Sequence, residues 1–325
     1  MTTYKEIYGT NVEVLSSDPS NPVEGQIWYN STSQTLKGYA LVAGSWATAG
    51  PLNTARSRLA GAGTQTAALG FGGTTGSITG ATESYNGTAW TTSPATLNTA
   101  RGVLAGCGAS NTAALAFGGD TNPAAGGPVV ANNESWNGST WTELGDLNTA
   151  RRGLAGAGTN TAALAFGGAL PGVTAVNESW NGSTWTELND LNTARQVLAG
   201  CGTNTAALGF GGFTTTAVAN TETWNGTSWT EVNDLNTARS GIAGAGTNTA
   251  ALAFGGTVPP VTAVTESWNG TSWTELNDLN IARTGLGGAG TNTVGLAFGG
   301  DIPPNTAATE EWSGPAVQTV NITVS

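Results

Sequence analysis

Residues 151–195 read RRGLAGAGTNTAALAFGGALPGVTAVNESWNGSTWTELNDLNTAR, and the fold follows from this stretch. RRGLAGAG (151–158) is a short run of small residues, suited to a strand in a crowded place. Thr159-Asn160 marks a turn. TAALAFGG (161–168) is a second run, apolar without alternation, as in a strand buried on both faces. Its closing pair Gly167-Gly168 allows positive φ or close backbone approach where the strand leaves the core. VNESW and STWTEL are β-prone runs joined through Asn181-Gly182, the strongest short hairpin signal. Trp180 and Trp185 fall on one face of that hairpin. Nothing in the stretch has a 3.6-residue period.

The same pattern recurs along the chain. Phe-Gly-Gly begins at Phe71, Phe117, Phe166, Phe210, Phe254 and Phe298. An arginine ending L-N-x-A-R precedes each one: Arg56, Arg101, Arg151, Arg195, Arg239 and Arg283. A glutamate follows, with an aromatic two residues on: Glu83, Glu134, Glu178, Glu222, Glu266 and Glu310. Successive arginines are 45, 50, 44, 44 and 44 residues apart, the length of one four-stranded propeller blade. The small-residue run is expected at the inner edge of each blade, near the axis. Stacked tryptophans are expected between blades.

A Gly-Gly doublet after an apolar strand, then spaced aromatics, then an arginine opening the next copy, resembles the Kelch motif over roughly residues 46–313. It departs from that motif in detail, since Trp replaces the first aromatic in every copy but the first, which has Tyr85, and only four residues separate the two. The resemblance implies a β-propeller. Counting strands adds closure. Trp90, Trp141, Trp185, Trp229 and Trp273 mark five internal fourth strands, one too few for six copies. GSWATAGPLNTAR, with Trp46, supplies the missing strand ahead of the first copy, beside Trp312. The expected fold is all-β: a six-bladed β-propeller of Kelch-like repeats, closed by an N-terminal strand.

Two segments lie outside the repeats. Within residues 1–45, PVEGQIWYNSTSQTLKGY reads as a small β-hairpin. This segment resembles short N-terminal portions of virion proteins of bacteriophages, notably marine ones, that precede a Kelch-like or fibre region. The resemblance implies docking onto other virion proteins through residues 1–45, in multiple copies per particle, after assembly in the host cytoplasm. Residues 314–325, with VQTVNITVS, alternate like an edge strand expected to extend the last blade or pair with a neighbouring subunit.

Composition narrows the chemistry. The chain has 325 residues, a net charge of −11 and no histidine. Without imidazole there is no Ser-His-Asp triad and no histidine zinc site. No metal or cofactor is expected, and the reading is non-enzymatic. Acidity disfavours nucleic acid, and no apolar run reaches the roughly 20 residues of a membrane helix. The N-terminus is not read as a secretory signal. Cys107 and Cys201 replace the same small residue in two copies and are read as separate buried thiols.

Three candidate features stand out. The six repeat arginines should ring one mouth of the channel, either as a clamp for anions or as locks paired one-to-one with the six glutamates. The one-to-one count favours locks. Asn86, Asn137, Asn181, Asn225 and Asn269 match glycosylation acceptors, but turn geometry explains them as well. The second copy carries 14 residues between Gly119 and Glu134 where the others have nine. Its loop, with Asp120, Asn122, Pro123 and Pro128, should share a face with Phe213, Pro259 and Pro303, the expected partner surface. Host-surface glycan is a candidate partner there. A glycan-binding adhesin and an intracellular Kelch interaction module, gripping an acidic peptide with the arginines, remain as other readings.

Overall fold

The computed structural model describes residues 12–122 and 127–323. All regular structure in them is β. The chain divides into two compact units, one of residues 1–44 and 314–325, the other Ser45–Ser313. Among the described residues there are seven four-stranded sheets, where the repeat count leads one to expect six. Six lie in Ser45–Ser313, one for each copy.

The seventh belongs to the smaller unit. The expected hairpin is there, Ile27–Asn30 antiparallel to Thr35–Val42. It does not stand alone, because Glu13–Leu15 adds in parallel to one edge and Ala316–Asn321 in antiparallel to the other. The tail was expected on the last repeat or on a second subunit. That repeat's outer edge is already taken by Ser45–Ala49, so the alternating tail satisfies its backbone on the hairpin instead. Asp18 ties this sheet together: it accepts hydrogen bonds from Trp28 Nε1 (3.1 Å), Asn30 Nδ2 (2.7 Å) and Lys37 Nζ (2.7 Å).

In the larger unit the third copy shows the common plan. Ala155–Gly158, Ala163–Phe166, Asn177–Trp180 and Trp185–Glu187 pair in sequence order, all antiparallel. Alanine and glycine fill the innermost strand because a phenylalanine from the preceding copy lies against it. A Cβ built on Gly156 would sit 2.7 Å from Phe117 Cζ. Gly167 and Gly168 adopt φ of +66° and +109°, and a Cβ on Gly167 would meet Arg195 O at 2.8 Å. Both glycines are therefore required by conformation as well as by space.

The sheets pack face to face in a propeller-like order. Each innermost strand lies beside the next, and the innermost strand of the last copy, Gly287–Gly290, lies beside that of the first, Ala60–Thr64. Six hydrophobic clusters fill the gaps, each shared by two consecutive sheets; the sixth joins Phe298 and Leu296 to Leu59, Tyr85 and Trp90. Every Phe-Gly-Gly phenylalanine packs on the outer tryptophan of the following copy, as in Phe117–Trp185 (5.1 Å), Phe254–Trp46 (5.0 Å) and Phe298–Trp90 (4.8 Å). Such ring pairs add roughly 0.5–1.5 kcal/mol each beyond the area they bury. Trp46 lies opposite Trp312 in the ladder between Ser45–Ala49 and Thr309–Ser313.

Candidate functional site

The six repeat arginines do not line an open mouth. All six side chains are fully buried, and each forms an ion pair with the glutamate of its own copy. Arg151 Nη1 donates to Glu178 Oε1 and to Thr149 O (3.0 Å), while Nη2 donates to Ala165 O at 2.8 Å. Glu178 Oε2 accepts from Asn148 N (2.7 Å) and Asn148 Nδ2 (2.9 Å), and the same amide reaches Trp185 O at 3.0 Å. The L-N-x-A-R sequence is thus one device: its Asn and Arg both close on the glutamate of the third strand. Burial pulls the Arg151 guanidinium below its ordinary pKa, and the attraction of Glu178 opposes that shift. Arg56, Arg101, Arg239 and Arg283 are lowered by the same desolvation, against the pull of their own glutamates. With no solvent access, these groups act as locks inside a sheet.

The expected partner loops are only partly presented. Asn122, Pro128, Pro259 and Pro303 are exposed. Pro123 lies outside the described residues. Asp120 is fully buried, and its Oδ2 pairs with Arg152 Nη1 at 2.8 Å. Phe213 is half-buried and bridges Gln196 and Ala217. Both are held because the first loop residue of every copy pairs with the residue following the lock arginine: Asp120 with Gly102, Phe213 with Gln196, Asp301 with Thr284. At these two positions the backbone is fixed by that bridge, with the Asp120 side chain buried and the Phe213 side chain half-exposed.

The Asn-Gly turns are explained by geometry. Asn181 Oδ1 accepts from the backbone N–H groups of Ser183 and Thr184, both at 2.9 Å, and Gly182 has φ of +94°. The other four turns repeat this bond pattern. Cys107 and Cys201 are free and buried, and burial pushes both thiols up to about 12.

The feature missed by sequence reasoning sits two residues after each lock arginine. Arg58, Val103, Gly153, Val197, Gly241 and Gly285 form a ring of backbone hydrogen bonds. Val103 N donates to Arg58 O (3.0 Å), Gly153 N to Val103 O (2.8 Å), Val197 N to Gly153 O (2.6 Å), Gly241 N to Val197 O (2.9 Å) and Gly285 N to Gly241 O (2.9 Å). Arg58 N donates to Gly285 O at 2.7 Å and completes the circuit. All six residues have positive φ, including Arg58 (55°), Val103 (53°) and Val197 (48°). A β-branched residue in that region is a true outlier. The three glycines at this repeat position were the available signal.

Beneath the ring, Leu59, Leu104, Leu154, Leu198, Ile242 and Leu286 surround a cavity of about 100 Å³. Above it opens a cavity of about 380 Å³, lined by ring residues together with Arg152, Gln196, Ser240, Thr284 and Asp301. Among the described residues, no group of three His, Cys, Asp or Glu side chains is placed to hold a metal ion. No protein-family model matches the chain, and no curated protein matches it in sequence.

Proposed function

We propose that Ser45–Ser313 is a closed six-bladed propeller of Kelch-like repeats serving as a rigid, non-enzymatic scaffold, and that the protein is a bacteriophage virion component docked through its smaller unit. The observation that carries the scaffold reading is the use of the repeated polar chemistry. Six arginines and six glutamates, the most reactive-looking groups in the sequence, are spent on buried locks within the sheets. The cyclic order of innermost strands and the six-membered hydrogen-bond ring support closure.

The docking half of the proposal draws on the N-terminal resemblance and on exposed apolar surface. Val12, Val14, Val23, Ile27 and Leu41 of the smaller unit are half of the large apolar side chains exposed among the described residues. The register puts Val14 and Ile27 on one face with Tyr29 and Leu36. Apolar side chains gathered on a small sheet favour a protein partner. The docking element includes the C-terminal strand as well as residues 1–45, since the two share a sheet.

Mass spectrometry of purified particles tests the reading. The full chain should be present in multiple copies, and Val14→Asp with Ile27→Asp should reduce incorporation while the melting temperature of the larger unit is unchanged. Absence from particles would overturn the virion role. Normal incorporation of the double variant would overturn docking through this face.

A further inference from the structure

The chain is acidic, yet the arginines of the larger unit that are not buried locks both stand at one place. Ser45–Ser313 contains eight arginines and no lysine. Six are the buried locks, and the remaining two, Arg58 and Arg152, both line the 380 Å³ cavity above the hydrogen-bond ring. Arg152 is 31% exposed and held by Asp120. Arg58 is exposed, and its guanidinium has no hydrogen-bond or ion-pair partner among the described residues. Asp301, on the wall of the same cavity, pairs through its backbone with Thr284 and Asn305, while its carboxylate forms no ion pair with Arg58.

Arg58 also occupies a strained position. Its φ of 55° is shared by glycine at three of the six equivalent sites. Valine holds the same conformation at two further sites, so what sets Arg58 apart within the ring is its charge. The cavity breaks the sixfold symmetry at this point: the equivalents of Arg58 are Val103, Gly153, Val197, Gly241 and Gly285.

The geometry points to a binding site for a carboxylate-bearing sugar at the axial mouth. Arg58 supplies the planar donor pair that matches a carboxylate. Asp301, Gln196, Ser240 and Thr284 supply acceptors and donors for sugar hydroxyls, and Asp301 disfavours a bare anion that could not donate to it. The volume falls within the roughly 300–1,000 Å³ of small-molecule sites. The assignment goes beyond the scaffold reading and does not depend on particle incorporation.

The test is a titration of the full chain with methyl glucuronoside, methyl glucoside, acetate and inorganic phosphate, followed by shifts of the Gly153 and Gly241 amide resonances. The glucuronoside should bind at least tenfold more tightly than the other three. Arg58→Gly, which suits the backbone there, should weaken it at least tenfold without lowering the melting temperature. Asp301→Asn should weaken the glucuronoside and strengthen acetate, which the Asp301 carboxylate otherwise repels. Equal binding of methyl glucoside or phosphate, unchanged binding by Arg58→Gly, or no response to any ligand would overturn the assignment.

Discussion

The indole of Trp46 lies 5.4 Å from that of Trp312, tilted by 48°, across the ladder joining the chain's first repeat strand to its last third strand. Trp46 also packs on Phe254 of the fifth copy and donates from Nε1 to Thr265 Oγ1 at 3.0 Å. One side chain near the start of the larger unit therefore joins its two last copies. Trp46→Ala should destabilise the larger unit by about 3–5 kcal/mol, the usual loss for a buried aromatic, in a chemical denaturation followed by circular dichroism. A loss below about 1 kcal/mol would mean that the fourth strand of the last sheet is not built as described.

The buried locks make a second prediction. Arg151→Ala leaves Glu178 charged and unpaired in a dry site, which costs about 3–5 kcal/mol. Replacing both partners by apolar residues of similar size, Arg151→Met with Glu178→Leu, should recover much of that loss. Equilibrium denaturation of the two variants distinguishes a lock from a ligand clamp, since a clamp would tolerate the single change.

Two sheets lack a bond that four others make. Trp141, Trp273, Trp46 and Trp90 each donate from Nε1 to a threonine of a neighbouring copy: Thr82, Thr221, Thr265 and Thr309. Where the copy carries Asn133 or Asn177 instead, Trp185 Nε1 and Trp229 Nε1 have no partner. Asn133→Thr and Asn177→Thr supply that acceptor but give up the amide bonds to Gly145 O and Asn189 O (both 3.1 Å), so each should change stability by less than about 1 kcal/mol, and the double variant should show the sum. Thermal melting checks this.

The axial ring separates glycine from its replacements. A Cβ on Gly241 would collide with Thr284 Oγ1, at a φ of +63°. Gly241→Val should cost about 1–3 kcal/mol. Val197→Gly, at an equivalent position already strained, should be nearly neutral. Paired urea denaturation curves give the comparison.

Asp18 should make the smaller unit sensitive to acid. Hydrogen bonds from Lys37, then Asn30 and Trp28, lower its pKa from 3.8 to about 2. A carboxylate depressed by folding contributes stability that is complete above its unfolded pKa. That contribution fades as pH falls through 3.8 toward 2. The Trp28 indole N–H resonance should therefore shift between pH 4 and pH 2 in the native chain. It should be insensitive over that range in Asp18→Asn.

The repeat was legible because its residues answer to strict local demands. Phe-Gly-Gly, Asn-Gly and the spaced tryptophans each have one conformation that suits them, and Trp46 could be assigned by counting. The seventh sheet was only partly legible: the hairpin and the alternating tail could be read as strands, but their pairing joins distant segments, and Glu13–Leu15 is too short to show a period. The loop residues Asp120 and Phe213 looked presented because loops usually are. Their backbone pairing to Gly102 and Gln196 depends on a register that a single copy does not reveal. The axial ring escaped notice because Arg58, Val103 and Val197 mask a position that glycine marks in the other three copies.

A closed ring requires the first and last copies to be neighbours, and the Arg58 amide reports on that directly. Its N–H reaches Gly285 O at 2.7 Å and is the bond that joins the ends of the ring. In a hydrogen-exchange measurement by NMR, the Arg58 amide should be protected to the same degree as those of Gly153 and Gly241. Exchange of Arg58 at the rate of an open chain, with the other five amides still protected, would contradict a closed ring.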